Sequence, residues 1–188
     1  FKEHLRFTRD FNCSIVGTET GSVMADYSFH PGNHSEGAFQ SLTASVAELV
    51  AEAEKFGAIV CIEAVAKHVI HTPQRMRRIL DTIGSNNLQV IFDPVNLLTV
   101  ENYQDQDRII QESFELFGDR MLVLHAKDFI VEDDRIKTVP AGQGLLNYSL
   151  LLGLLKQTKP YIYTLLEDTK PEFLDTSRAH LINLIESI

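Results

Sequence analysis

Four short apolar runs in this chain each close on a residue able to bind a cation. They are Ala58-Ile59-Val60-Cys61-Ile62-Glu63, Leu88-Gln89-Val90-Ile91-Phe92-Asp93, Met121-Leu122-Val123-Leu124-His125 and Tyr161-Ile162-Tyr163-Thr164-Leu165-Leu166-Glu167. Each run is aliphatic, β-branched or aromatic and too short for a typical helix, which predicts a buried strand. Amphipathic stretches separate the runs. Alternating strands and helices imply parallel strands, so all four C-terminal ends lie along one edge. Two glutamates, an aspartate and a histidine then meet at one mouth. Such a set is hard and mostly oxygen, suited to one Mn²⁺ or Mg²⁺, with Co²⁺ or Zn²⁺ as alternatives. A single carboxylate at a strand end is ordinarily a helix cap or a solvated loop residue. Four successive strands ending alike is instead how barrel enzymes assemble a site from several strand ends.

Composition narrows the partners. The 188 residues are 44% hydrophobic and 23% charged, which predicts one soluble globular domain over residues 1–188. A net charge of −9 leaves no broad basic surface for a phosphate backbone, so nucleic acid is excluded as the default partner. No run approaches the roughly 20 apolar residues of a membrane-spanning helix, and no signal-peptide layout follows Phe1. Cys13 and Cys61 are the only cysteines. Read as two buried thiols, they predict a reducing, cytoplasmic setting. The expected partner is a small molecule, with a homo-oligomer left open.

Along the chain, Cys13–Thr20 predicts a further strand, followed by a polar loop over Ser22–Gly37. That loop is long for a connector, and His30, Asn33, His34 and Glu36 could serve there as a lid or substrate contacts. Helices are predicted over Ser41–Phe56, capped by Gly57, over Pro73–Ile83 with Pro at the first position, over Asp105–Phe117, Tyr148–Leu155 and Pro171–Ile188. A charged, hairpin-like excursion spans Glu132–Lys137. These are five β/α units. Five parallel strands do not close a (β/α)₈ barrel, which usually takes about 200 to 250 residues. The predicted class is therefore α/β, either an open sheet or, as the abrupt helical start favours, a partial (β/α) barrel lacking its first three units.

Further residues fall near the predicted mouth. Lys127 lies two positions past His125, so a continued strand points both the same way, toward a substrate hydroxyl, carboxylate or phosphate. His68 lies five positions past Glu63 on a loop that can reach substrate, whereas His71 falls beside a helix start. Asn96 can donate to a sugar oxygen. Glu19 ends the first strand and either lines the pocket or caps its loop. Gly142 and Gly144 could present amides to a phosphate or simply form a tight turn.

The ordered segments I-E-A-V (62–65), F-D-P-V-N (92–96), H-A-K-D (125–128), A-G-Q-G (141–144) and L-L-E-D (165–168) resemble the sugar phosphate isomerase/epimerase family, the xylose-isomerase-like TIM barrels. The resemblance covers Cys13 to Ile188 and implies that the five strands are the fourth to eighth of such a barrel. In ketose 3-epimerases of this kind the metal ligands end strands five to eight, which implies Glu63, Asp93, His125 and Glu167. It also implies that Glu63 and Glu167 are the acid/base pair of a metal-stabilised enediolate mechanism, with Asp93 and His125 as structural ligands. The substrate implied is a sugar or sugar phosphate. Asn96 stands where those epimerases often carry a substrate-contacting His, and Val131 where they tend to carry an Arg. The three-zinc pattern of endonuclease IV is not matched, since there is no His between Phe129 and Leu145. The same ligands would also serve an inosose-type keto-polyol dehydratase, or a non-catalytic sugar-binding barrel.

Overall fold

The computed structural model describes all of residues 1–188. Parallel strands alternate with helices along the chain. The residues group into two compact units, Phe1–Ile91 and Phe92–Ile188.

In the first unit, a short helix α1 (Lys2–Phe7) precedes β1 (Ile15–Glu19), α2 (Glu36–Phe56), β2 (Ile59–Glu63), α3 (Pro73–Ile83) and β3 (Leu88–Phe92), whose last residue begins the second unit. β1 and β2 run parallel in a register that places Glu19 opposite Glu63. β2 and β3 follow suit, with Glu63 opposite Ile91. Val60, Cys61 and Ile62 are wholly buried, which accounts for a continuous apolar run rather than an alternating one. Val46, Val50 and Ala53 of α2 and Met76, Ile79 and Leu80 of α3 supply the apolar helix faces of the core.

The helix ends follow from local chemistry. The Ser35 hydroxyl accepts the Ala38 N–H at the start of α2, and Gly57 closes the helix at φ 65° with its N–H on the Ala53 carbonyl, a left-handed cap that suits glycine. Thr72 caps α3 by accepting from Arg75 N–H, with Pro73 first in the helix. The start of α2 differs from the expected Ser41. Gly37 reads as a loop residue, but the Ser35 cap and the acidic first-turn Glu36 outweigh its low helix propensity. Cys13 is also a correction. The strand starts at Ile15, so Cys13 lies outside it and is exposed, while Cys61 is buried.

The long loop is held from within. Asn33 is wholly buried. Its Oδ1 accepts from Val23 N–H at 2.9 Å and its Nδ2 donates to the Lys67 carbonyl at 2.8 Å. The expected lid or contact residue Asn33 therefore ties the loop to the segment after β2.

The second unit carries α4 (Gln106–Phe117), β4 (Met121–Ala126), the hairpin β5 (Asp128–Glu132) and β6 (Arg135–Val139), α5 (Tyr148–Thr158), β7 (Tyr163–Leu166) and α6 (Leu174–Ser187). β4 and β7 are parallel, with His125 opposite Leu165. The charged excursion is a true antiparallel hairpin and reaches further than expected, from Asp128 to Val139. Asp133 and Asp134 at its tip both have positive φ, the conformation a two-residue hairpin turn needs and Asp tolerates. β7 starts at Tyr163, two residues later than the apolar run suggests, and Tyr161 is 95% exposed.

Candidate metal centre

Three of the expected ligands converge inside the second unit. Asp93 directly follows β3, is 2% exposed, and accepts the Asn96 N–H on Oδ1 at 3.2 Å. The turn Pro94-Val95-Asn96 thus folds back on the carboxylate and fixes it. His125 lies on β4 with Nδ1 3.3 Å from Glu167 Oε1. Glu167 follows β7, and its N–H donates to the Ala126 carbonyl, so strand pairing itself sets its position beside His125. Asp93, His125 and Glu167 each offer one ligand atom within 4.8 Å of the others. Two carboxylate oxygens and an imidazole nitrogen this close, and largely buried, fit a divalent cation of the hard or borderline kind.

Lys127 joins the same group. Its Nζ lies 2.9 Å from Asp93 Oδ2, 2.5 Å from Glu167 Oε2 and 4.0 Å from Asp168 Oδ2. β4 ends at Ala126, yet Lys127 keeps the side of His125. Sequence periodicity aims it at a substrate; in the structure its ammonium is engaged by two carboxylates. Burial alone would lower the Lys127 pKa, but the negative charge of Asp93 and the hydrogen bond to Glu167 carry it above the ordinary lysine range. The His125 imidazole 3.3 Å away, with Lys127 beside it, holds the Glu167 carboxyl well below the usual carboxylate range against the opposing effect of burial.

Two residues of this neighbourhood carried no assigned role in the sequence. The buried carboxylate of Asp128 accepts from Phe129 N–H and Leu146 N–H on Oδ1, both at 2.8 Å, and from Gly142 N–H on Oδ2 at 3.1 Å. The Gly142 amide is thereby committed to Asp128 and not presented to a phosphate. The buried Tyr148 hydroxyl donates to the Lys127 carbonyl at 2.8 Å, and burial, with Asp128 nearby, pushes its own pKa up. Asp128 was visible as the last letter of H-A-K-D. Nothing local marks Tyr148, which reaches Lys127 from 21 positions away.

In the first unit, Glu63 ends β2 and is 3% exposed. Glu19, beside it in register, brings a carboxylate oxygen 3.3 Å from Nδ1 of His68. The expected substrate contacts Glu19 and His68 are thus together. His71 turns to the long loop: it stacks on His34 with ring centroids 3.5 Å apart and places Nδ1 3.2 Å from the Val69 carbonyl.

A family model described as xylose isomerase-like TIM barrel matches residues 1–183. Solved structures of the same architecture superimpose on the chain. A xylose isomerase domain protein from Planctomyces limnophilus gives a TM-score of 0.76 at 18% identity, over 100% of this chain and 63% of that one. A D-tagatose 3-epimerase-like protein gives 0.79 at 18% identity, over 99% and 67%. A xylose isomerase-like TIM barrel protein from Mycobacterium smegmatis in complex with magnesium gives 0.74 at 13% identity, over 99% and 65%. The chain spans about two thirds of the length of these structures, and identities this low establish the fold. No curated protein matches the chain by sequence.

Proposed function

Since the chain belongs to the xylose isomerase-like TIM barrel family, we propose that it acts as a divalent-metal-dependent sugar or sugar-phosphate isomerase or epimerase. The convergence of Asp93, His125 and Glu167 inside one unit carries this reading. Glu63 is proposed as the fourth ligand. Its support is register: Glu63 stands opposite Ile91, two residues before Asp93, at the end of the neighbouring strand. Mn²⁺ is the proposed ion, with Mg²⁺, Co²⁺ or Zn²⁺ as substitutes; oxygen-rich donors favour the harder ions.

A bound ion would supply Lewis-acid polarisation of a substrate carbonyl. The chain's own residues would do the rest. Glu63 and Glu167 are proposed to remove and return the proton on the carbon next to that carbonyl, a role that positioned carboxylates can fill for roughly 10²–10⁴-fold in rate. Asp93 and His125 would fix the ion, and the Asn96 N–H on Asp93 would fix Asp93 in turn. Lys127, held by Asp93 and Glu167, is proposed to lend an ammonium donor to a substrate oxygen. Asn96, His68 and Glu19 are proposed as further substrate contacts. The proposed setting is the cytoplasm; no helix is long and apolar enough to cross a membrane.

Elemental analysis of the purified protein and of Glu167→Gln tests the site. About one equivalent of metal in the wild type, sharply reduced in the variant, is expected; no metal in either, even after adding Mn²⁺, would sink the reading. A ketose screen by product analysis then separates epimerisation from dehydration, whose product carries two carbonyls.

A further inference from the structure

We infer that Glu19 and His68 form a hydroxyl-reading pair that selects a neutral polyol end and rejects a phosphate ester there. The inference rests on the sugar reading of the site and narrows its substrate class.

The pair is built by the fold. Glu19 ends β1 opposite Glu63, so it stands one strand from a proposed acid/base residue. His68 sits on the turn after β2, where its N–H donates to the Val65 carbonyl at 2.8 Å. The next two residues are tied to the end of β1, Val69 N–H to the Gly21 carbonyl and Ile70 N–H to the Thr20 hydroxyl. His68 is 7% exposed. Its Nδ1 lies 3.3 Å from Glu19 Oε2, within ion-pair range, yet makes no hydrogen bond. Buried ring nitrogens normally find a partner. The Glu19 side chain, by contrast, is 54% exposed, so the pair is open to a ligand on one side.

A hydroxyl suits this pair chemically. It can donate its one proton to the Glu19 carboxylate while accepting from an imidazole N–H. A phosphate ester offers only acceptors and a negative charge, which the Glu19 carboxylate repels at short range. The Glu19–His68 pair therefore favours a free polyol terminus.

The test is binding of D-fructose, D-fructose 1-phosphate and D-fructose 6-phosphate to the Mn²⁺-supplemented protein by calorimetry, in wild type, Glu19→Gln and Glu19→Lys. The expected result is that D-fructose binds, at least one ester binds tenfold or more weakly, and Glu19→Lys selectively recovers that ester. Glu19→Gln should narrow the gap without reversing it, which guards against a folding fault in the lysine variant. Esters binding as tightly as the free sugar would overturn the inference alone. So would a Glu19→Lys effect equal on ester and free sugar. Binding of neither class, with metal still bound, would overturn the inference together with the sugar reading of the site.

Discussion

Lys127 Nζ lies 2.9 Å from Asp93 Oδ2, and the two side chains are 5% and 0% exposed. An ion pair this dry stands because its charges are matched; removing one partner leaves the other buried and uncompensated, at a cost of about 3–5 kcal/mol. Lys127→Met should therefore lose stability on that scale by urea unfolding, since Asp93 and Glu167 are left adjacent without the ammonium. Adding Mn²⁺ to the variant should recover part of the loss, because any ligand that binds only the folded state raises stability. Unchanged unfolding in Lys127→Met would show that the pair is not what holds these strand ends together.

Asp128 organises the segment from the hairpin to α5 through three backbone N–H groups. Asp128→Ala leaves all three without their acceptor; the Phe129 and Leu146 bonds are buried, and an unsatisfied buried donor costs about 1–3 kcal/mol. Asp128→Asn keeps an oxygen for Phe129 and Leu146 and loses the Gly142 contact, so it should fall between wild type and Asp128→Ala in thermal unfolding. Gly144 belongs to the same packing. A Cβ there would come within 2.2 Å of the Phe129 carbonyl oxygen and 2.4 Å of Asp128 Oδ1, so Gly144→Ala should destabilise as severely as Asp128→Ala. Equal stability of Asp128→Asn and Asp128→Ala would remove the acceptor argument.

The parts of the fold that were legible in the sequence are those governed by short-range pattern. β2, β3 and β4 were plain because buried parallel strands are continuously apolar, although burial runs on through the polar residues that follow the apolar stretch, Glu63 and Asp93 being 3% and 2% exposed. The Thr72-Pro73 start and Gly57 stop were plain because caps are local chemistry. The start of α2 was not, because Gly37 carries a loop signal that Ser35 and Glu36 overrule. Side-chain reach was the least visible. Lys127 meets Glu167 from 40 positions away, and Asn33 spans 34 positions to Lys67. No periodicity reports such a pairing, so a lysine expected to face substrate is found bound to carboxylates.

The two thiols should separate cleanly by reactivity. Cys61 is buried within β2, and burial pushes its thiol up to about 12; Cys13 is exposed. Only the thiolate attacks a disulfide reagent. Near pH 8 a chromogenic disulfide should label one thiol of the native protein quickly, and Cys13→Ser should abolish that phase. The second thiol should appear only in denaturant. Rapid labelling of both native thiols would contradict the burial of β2.

His71 gives the loop clasp a defined response to acid. It stacks on His34 at 3.5 Å, while Arg75 of α3 donates to the His34 and Val69 carbonyls. Burial, and then the neighbouring His34 and Arg75, lower its pKa from the ordinary 6.5, against a hydrogen bond to Val69 that raises it. The sign follows from proton uptake. Well above pH 6.5 His71 is neutral in both folded and unfolded chains and contributes no pH dependence. As pH falls below 6.5 the unfolded chain takes up the proton first, so stability declines until the lower folded pKa is reached. The melting temperature of His71→Phe, which keeps a ring on His34 but cannot titrate, should therefore fall less steeply than that of wild type below pH 6.5. The two slopes should run parallel above pH 7. Parallel slopes throughout would mean that His71 takes up its proton in the folded chain as readily as in the unfolded one.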